Sequence, residues 1–386
     1  VAACDATEPS AVLAPEATQV AVSATAVSNE HTPVTIVWNR ESRELVKKYA
    51  TGAAPAMRVY ALVSVAQYNA LVAADDSKAP RKRPSARVAI AAASTGVLSY
   101  LYPAEATLLE QKFAQFKAAL NEPPRFNAAA GEVIGRGIAA QLIARASQDN
   151  FFKPFTGVIP TGPGFWQAHP TPPAFATLGQ AKTFFLATGD QFRPAAPPAY
   201  GSPAFLKDLT EVRTISDNRT PVQDSIAKFW SLQGGTVTPL GYWNVVADSL
   251  ASRDQLNERR TALTFALLNI AGFDGLIASH EAKYVFWLIR PSQADPAITL
   301  PIALPSFPSY PSNHALISAA AAVVLGKQFP ADRKALMALA EEAAVSRVYG
   351  GIHYRFDATV GVDMGKRVGT YVLSRAPKGN RALTLR

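Results

Sequence analysis

The residues of this chain best equipped for chemistry stand between positions 283 and 357. In "EAKYVFWLIRP" Lys283 and Arg290 are seven residues apart, which on a helix is nearly two turns and places both cations on one face, with Pro291 ending the segment. Their aliphatic stems would lie along the wholly apolar "YVFWLI" between them. "SYPSNHALISAAAAVVLG" (Ser309–Gly326) reads as a helix starting at Ser312 or Asn313, with His314 in its first turn. Free backbone N–H groups and the positive end of the helix dipole make such a turn a natural seat for an anion. In "SRVYGGIHYRFD" a helix ending at Arg347–Tyr349 is closed by Gly350 and Gly351, and the next opens near His353. Asp357, four residues beyond His353, is spaced to take a hydrogen from the imidazole and fix its tautomer. Each part alone also has a plain structural use, as a solvated cation pair or a buried His–Asp hydrogen bond. Together they offer three cations, a helix N-terminus and two histidines to one oxyanion.

Helices must position these groups. "PAMRVYALVSVAQYNALVAADD" (55–76) lines up Val59, Leu62, Val63, Ala66 and Ala70 along one stripe, and similar segments run at about 84–101, 103–121, 129–147, 222–232, 241–251, 254–280, 313–328, 331–348 and 354–374. Alternating strand patterns are scarce, so the fold class is all-α. Residues 1–35 read as a polar N-terminal tether, 36–150 as an N-terminal helical half, 151–220 as a Pro/Gly/aromatic-rich loop packed on the body, 221–376 as the catalytic bundle and 377–386 as a tail.

Composition narrows the partners. The 386 residues are 48% apolar and 17% charged, ordinary for a globular protein, with a net charge of +9. That charge suits an anionic ligand. The densest basic run, "PRKRPSAR" (80–87), has no interleaved aromatics and there is no Cys/His zinc spacing, so nucleic acid is not the expected partner. One cysteine excludes an intrachain disulfide. Its setting, "VAAC", has the form of a lipobox, and two readings stand open: a lipid anchor at Cys4, or a cysteine of no consequence. Of the five histidines, His31 falls in the tether and His169 in the Pro-rich loop.

Taken in order, Lys283, Arg290–Pro291, Pro311–Ser312–Asn313–His314, Ser346–Arg347, His353 and Asp357 resemble the three-part signature of the type 2 phosphatidic acid phosphatase (PAP2) superfamily, which joins acid and lipid phosphatases to vanadium-dependent haloperoxidases. "FPSYPSNHA", "VYGGIHYRFD", "TGDQFRP", "FWSLQGGTVTPLGYWN" and "VIGRGIAAQLIARA" extend the resemblance to the haloperoxidase-related bacterial proteins over most of residues 36–376. It implies helical bundles of the haloperoxidase/acid phosphatase type, with the oxyanion site in the C-terminal bundle.

The resemblance also assigns roles. Lys283, Arg290 and Arg347, with the Ser312 hydroxyl and the Asn313 backbone N–H, hold the equatorial oxygens of vanadate, and phosphate competes for the same place. His353 is the metal ligand, or the nucleophile toward phosphorus; Asp357 orients it, and His314 is the acid–base opposite. The leading expectation is oxidation of halide by hydrogen peroxide at histidine-bound vanadate, outside the cytoplasm (periplasmic or secreted, as a lipoprotein if Cys4 is lipidated). A phosphatase acting on phosphate esters through a phosphohistidine is the first alternative, and a non-catalytic oxyanion-binding protein the second. Three departures bear on this: Asn313 stands where the family usually has Gly, His280 where chloroperoxidases tend to have Trp and bromoperoxidases Arg, and an acidic residue is missing from "FWSLQGG". Halide preference and oligomeric state are not legible.

Overall fold

The computed structural model describes residues 32–77, 82–168 and 172–386; Cys4, His31 and His169 lie outside them. Helices α1 (Val34–Lys48), α2 (Ala53–Asp75), α3 (Ala86–Leu101), α4 (Ala106–Ala119), α5 (Ala128–Ala146), α6 (Pro203–Asp217), α7 (Pro221–Phe229), α8 (Thr238–Arg253), α9 (Glu258–Phe286), the short α10 (Pro291–Ala294), α11 (Asn313–Gln328), α12 (Arg333–Tyr349) and α13 (Arg355–Ser374) follow in chain order. Among the described residues the strands amount to one parallel ladder, Arg83–Pro84 beside Phe126–Asn127. Helix starts obey simple end chemistry: the side-chain oxygens of Ser85, Asn127, Ser202, Thr220, Asn257 and Ser312 each accept a first-turn N–H.

Helix α9 is the shared spine of residues 33–386, packing against α2 on the N-terminal side and against α11 and α13 on the C-terminal side. It is long and apolar enough to cross a bilayer, but 94% of its most apolar stretch is buried within the protein, as a core helix requires. From its middle, buried Asp274 accepts the N–H groups of Phe184 and Phe185 at 2.7 Å and of Leu186 at 3.0 Å. One carboxylate thus fastens Phe184–Leu186 to the spine, and burial pushes its pKa up to about 6.

Two glycines of α13 bring the site together. A Cβ at Gly361 or Gly365 would run into the carbonyl oxygens of Ser312 and Leu316, so α11 and α13 touch backbone to backbone. The Ser312 N–H donates to the Asp357 carbonyl at 3.1 Å, which joins the N-terminal ends of the two helices.

The structure differs from the sequence reading at two places. The span 203–217, assigned to the loop, is helix α6: Ser202 caps it and Pro203 occupies its first position, so residues that look like loop chemistry mark a helix start. Lys283 and Arg290 do not share a helix face, because α9 stops at Phe286 and Trp287 turns the chain left-handed (φ 49°). Leu288 then bridges to Phe165 antiparallel, and the Ile289 N–H donates to the Gly164 carbonyl, so Arg290 reaches the site from an extended segment.

Candidate oxyanion site

Lys283, in the last turn of α9, is fully buried. Its three N–H groups are all taken by backbone carbonyls, those of Pro308 at 3.0 Å, Ser309 at 2.7 Å and Pro311 at 2.5 Å. The lysine therefore holds down the segment entering α11, and loss of hydration followed by the nearby Arg290 charge drives its pKa well below the ordinary value. Arg290, equally buried, donates from Nε to the Phe307 carbonyl (3.0 Å) and from Nη1 to the Ile352 carbonyl (2.6 Å) and His353 Nε2 (3.1 Å). Its Nη2 is buried with no partner. Phe307 lies between the two cations, its ring centroid 5.2 Å from Lys283 Nζ and 5.2 Å from Arg290 Cζ.

Arg347 arrives in the last turn of α12. It donates from Nη2 to the Ala227 carbonyl at 2.6 Å and from Nε to Ser346 Oγ at 2.9 Å, and among the described residues no carboxylate pairs with it. This is the support that replaces the acidic residue missing from "FWSLQGG". Burial lowers Arg290 to about 10 and Arg347 to about 9, still charged at neutral pH.

His353 precedes α13, and its Nδ1 lies 2.8 Å from Asp357 Oδ2, as the four-residue spacing predicts. An ionised carboxylate only accepts, so Nδ1 carries the hydrogen and Nε2 keeps its lone pair. Asp357 Oδ2 also accepts from Ser309 Oγ at 2.5 Å and from the Tyr354 N–H at 3.2 Å, while Oδ1 is buried without a partner. Burial raises Asp357 to about 6, against the pull of Ser309 and the two cations. His353 is pushed well below the usual imidazole range by burial, then by Arg290 and Lys283. His314, partly exposed in the first turn of α11, donates from Nε2 to the Trp230 carbonyl at 2.9 Å, which leaves Nδ1 as its basic atom. Burial and the Arg347 charge lower its pKa as well.

The structure thus joins Arg290, His353 and Asp357 by direct hydrogen bonds, and sets Ser312, Asn313 and His314 at the α11 terminus against them. Sequence reasoning missed Ser309 and Ser279; the latter donates to Asn313 Oδ1 at 2.5 Å. A lone serine gives no signal until the fold sets a carboxylate or an amide beside it. Among the described residues no three His, Cys, Asp or Glu side chains gather to hold a metal cation. The donor set is one for an anion: three cations without carboxylate partners in salt-bridge contact, a free Arg290 Nη2 and open N–H groups at a helix start. A cleft of about 400 Å³ between α2, α5 and the tail, lined by Asp76 and Arg145, lies apart from these groups.

Residues 262–381, which span every one of these side chains, match the PAP2 superfamily. The PAP2 segment is 35% identical over 104 residues to the decaprenylphosphoryl-5-phosphoribose phosphatase of Mycobacterium tuberculosis, in strains CDC 1551 / Oshkosh and ATCC 25618 / H37Rv. That match takes in 27% of this chain and 58% of the phosphatase. Solved structures extend the likeness beyond residues 262–381. The first bacterial vanadium-dependent iodoperoxidase superposes with a TM-score of 0.76 at 25% identity, covering 91% of this chain and 96% of that one. The holo form of a bacterial vanadium-dependent chloroperoxidase superposes with a TM-score of 0.67 at 16% identity, covering 86% and 94%. The chain therefore has the helical haloperoxidase fold, with the PAP2-matching residues 262–381 inside it.

Proposed function

We propose that this protein is a vanadium-dependent haloperoxidase, oxidising halide with hydrogen peroxide at an oxyanion site built on His353. The observation that carries the reading is a cluster of buried cations, Arg290 and Arg347 above all, that have no carboxylate partner in salt-bridge contact among the described residues and lie around a histidine whose Nε2 lone pair faces Arg290 Nη1. Likeness to the iodoperoxidase over nearly the whole chain supports it.

Vanadate, when bound, supplies a Lewis acid that activates peroxide toward halide. The chain supplies everything else. Arg290, Arg347 and Lys283 neutralise the oxyanion's charge, and the Ser312 hydroxyl with the Asn313 N–H adds donors at the α11 terminus. Lys283 does so by exchanging one of its three carbonyl contacts. His353 presents Nε2 as the ligand atom, released from Arg290 Nη1, while Asp357 and Ser309 hold the imidazole on its other side. His314, neutral through burial and the Arg347 charge, takes up or returns a proton at Nδ1.

A second reading is favoured by the match to the mycobacterial phosphatase. The same residues would hold a phosphoryl group: His353 Nε2 would bond to phosphorus as the bond to the ester oxygen breaks, His314, having first taken up a proton at Nδ1, would pass it to that oxygen, and water would then displace the phosphoryl group from Nε2. The two separate in one experiment. Phosphate-free protein is divided; one part is assayed for p-nitrophenyl phosphate hydrolysis, the other loaded with orthovanadate and assayed for peroxide-dependent oxidation of iodide and bromide. Oxidation that requires vanadate and is lost on adding phosphate is the expected result. Ester hydrolysis without any halide oxidation would hand the site to the phosphatase.

A further inference from the structure

Ser279 and Asn313 form a contact that the roles above do not use. Ser279 stands one turn before Lys283 on α9 and is fully buried, and its hydroxyl donates to Asn313 Oδ1 at 2.5 Å. A serine inside a helix ordinarily gives this hydrogen to the carbonyl four residues back, as Thr264 does on the same helix toward the Arg260 carbonyl at 2.7 Å. Ser279 instead reaches across to the first residue of α11. As placed, the amide turns its Oδ1 toward α9. It leaves Nδ2, with two N–H groups, without an acceptor in the protein among the described residues, although Asn313 is only 9% exposed. On either side in sequence are Ser312, whose hydroxyl reaches the Ala315 N–H only at 3.5 Å, and His314. An amide nitrogen held in that place wants an acceptor-rich ligand.

We infer that the Asn313 side-chain amide is an additional neutral donor to the bound oxyanion, aimed by the Ser279 hydroxyl. The inference rests on the oxyanion-site reading and deepens it: the anion is held by a side-chain N–H from α11 as well as by the backbone of that turn. Hydrogen bonds to charged groups have enough energy to make the effect measurable, about tenfold in affinity for one lost donor.

The test is calorimetric titration of orthovanadate and of inorganic phosphate into wild-type protein, Asn313→Ala, Asn313→Asp, Ser279→Ala and the double Ser279→Ala/Asn313→Ala variant, each shown folded by circular dichroism. Expected are a loss of about tenfold for both anions in Asn313→Ala, a larger loss in Asn313→Asp, where a carboxylate replaces the donor, and a smaller loss in Ser279→Ala. The double variant should match Asn313→Ala, because without the amide there is nothing left for Ser279 to aim. Affinity in Asn313→Ala equal to or tighter than wild type would overturn the inference, as would fully additive losses for its claim about Ser279. Wild-type protein that binds neither anion would sink the underlying reading instead, so the two failures are distinguishable.

Discussion

Two groups of arginines in this molecule are handled in opposite ways. Around α1 and α2, buried Arg43 donates to Asp248 of α8 at 2.7 Å, the half-exposed Arg40 grips the same carboxylate with two bonds of 2.8 Å, and buried Arg58 meets Asp149 at 2.7 Å. A chain of amides, Asn39 to Asn244 to Asn269, satisfies the rest of the Asp248 neighbourhood at 3.0 and 2.7 Å. Burial pushes Asp248 up, but the Arg40 hydrogen bond and the Arg43 charge outweigh it and hold it below the ordinary range. At the C-terminal site Arg290 and Arg347 are buried at least as deeply as Arg43 and Arg58, yet among the described residues they meet only carbonyls, a hydroxyl and an imidazole, and burial lowers both. Paired buried charge is architecture. Unpaired buried charge of one sign is free energy held against the fold, retained where a ligand of the other sign is due.

The comparison is tested most severely at its chemical centre. His353→Ala should abolish vanadate-dependent iodide oxidation, since no adjacent side chain can take the place of Nε2. Asp357→Ala should lower it by about 10- to 100-fold by loosening the imidazole. Steady-state turnover measures both, and full activity in His353→Ala would place the chemistry elsewhere.

A thermodynamic contrast comes next. Asp248→Asn leaves Arg40 and Arg43 facing a neutral amide and should cost about 3–5 kcal/mol in urea unfolding. Arg347→Met removes a buried cation that has no carboxylate, so stability should hold or rise by about 1–4 kcal/mol while vanadate binding collapses. Equal destabilisation in the two variants would erase the distinction drawn between the regions.

The smallest effect concerns His280, buried beside Phe307 with Nδ1 on the Leu276 carbonyl and Nε2 unpartnered. Burial first, then the Lys283 charge, lowers its pKa from 6.5 to about 3. As pH falls below 6.5 the unfolded chain takes up a proton that the folded one refuses, so wild-type stability drops relative to His280→Leu. The difference should grow by about 1.4 kcal/mol per pH unit. Denaturant midpoints of both proteins at pH 7 and pH 5 measure it, and a constant difference would mean that the imidazole is not buried neutral.

Most helices were legible because alanine-rich periodicity is a local signal. The segments expected at 313–328 and 354–374 fall on α11 and α13 to within a residue. The His353–Asp357 bond was legible for the same reason, four residues being a local distance. Three things were not. Helix α6 hid behind proline and glycine in a stretch whose neighbours are irregular. Arg290 was referred to a helix because nothing in "YVFWLI" announces that Trp287 turns left-handed. Ser309 and Ser279 depend on partners 48 and 34 positions away, and a pattern read along one chain contains no such pairing.

The left-handed Trp287 has one more consequence, for how the chain tolerates insertions. Beyond it Leu288, Ile289 and Arg290 are extended, with Leu288 paired to Phe165, so successive side chains alternate between faces. Adding or removing one residue between Trp287 and Arg290 would put the guanidinium on the face now held by Ile289 and an aliphatic side chain where the anion's counter-charge belongs. Within the proposed site, these three positions fix a register as strict as a reading frame.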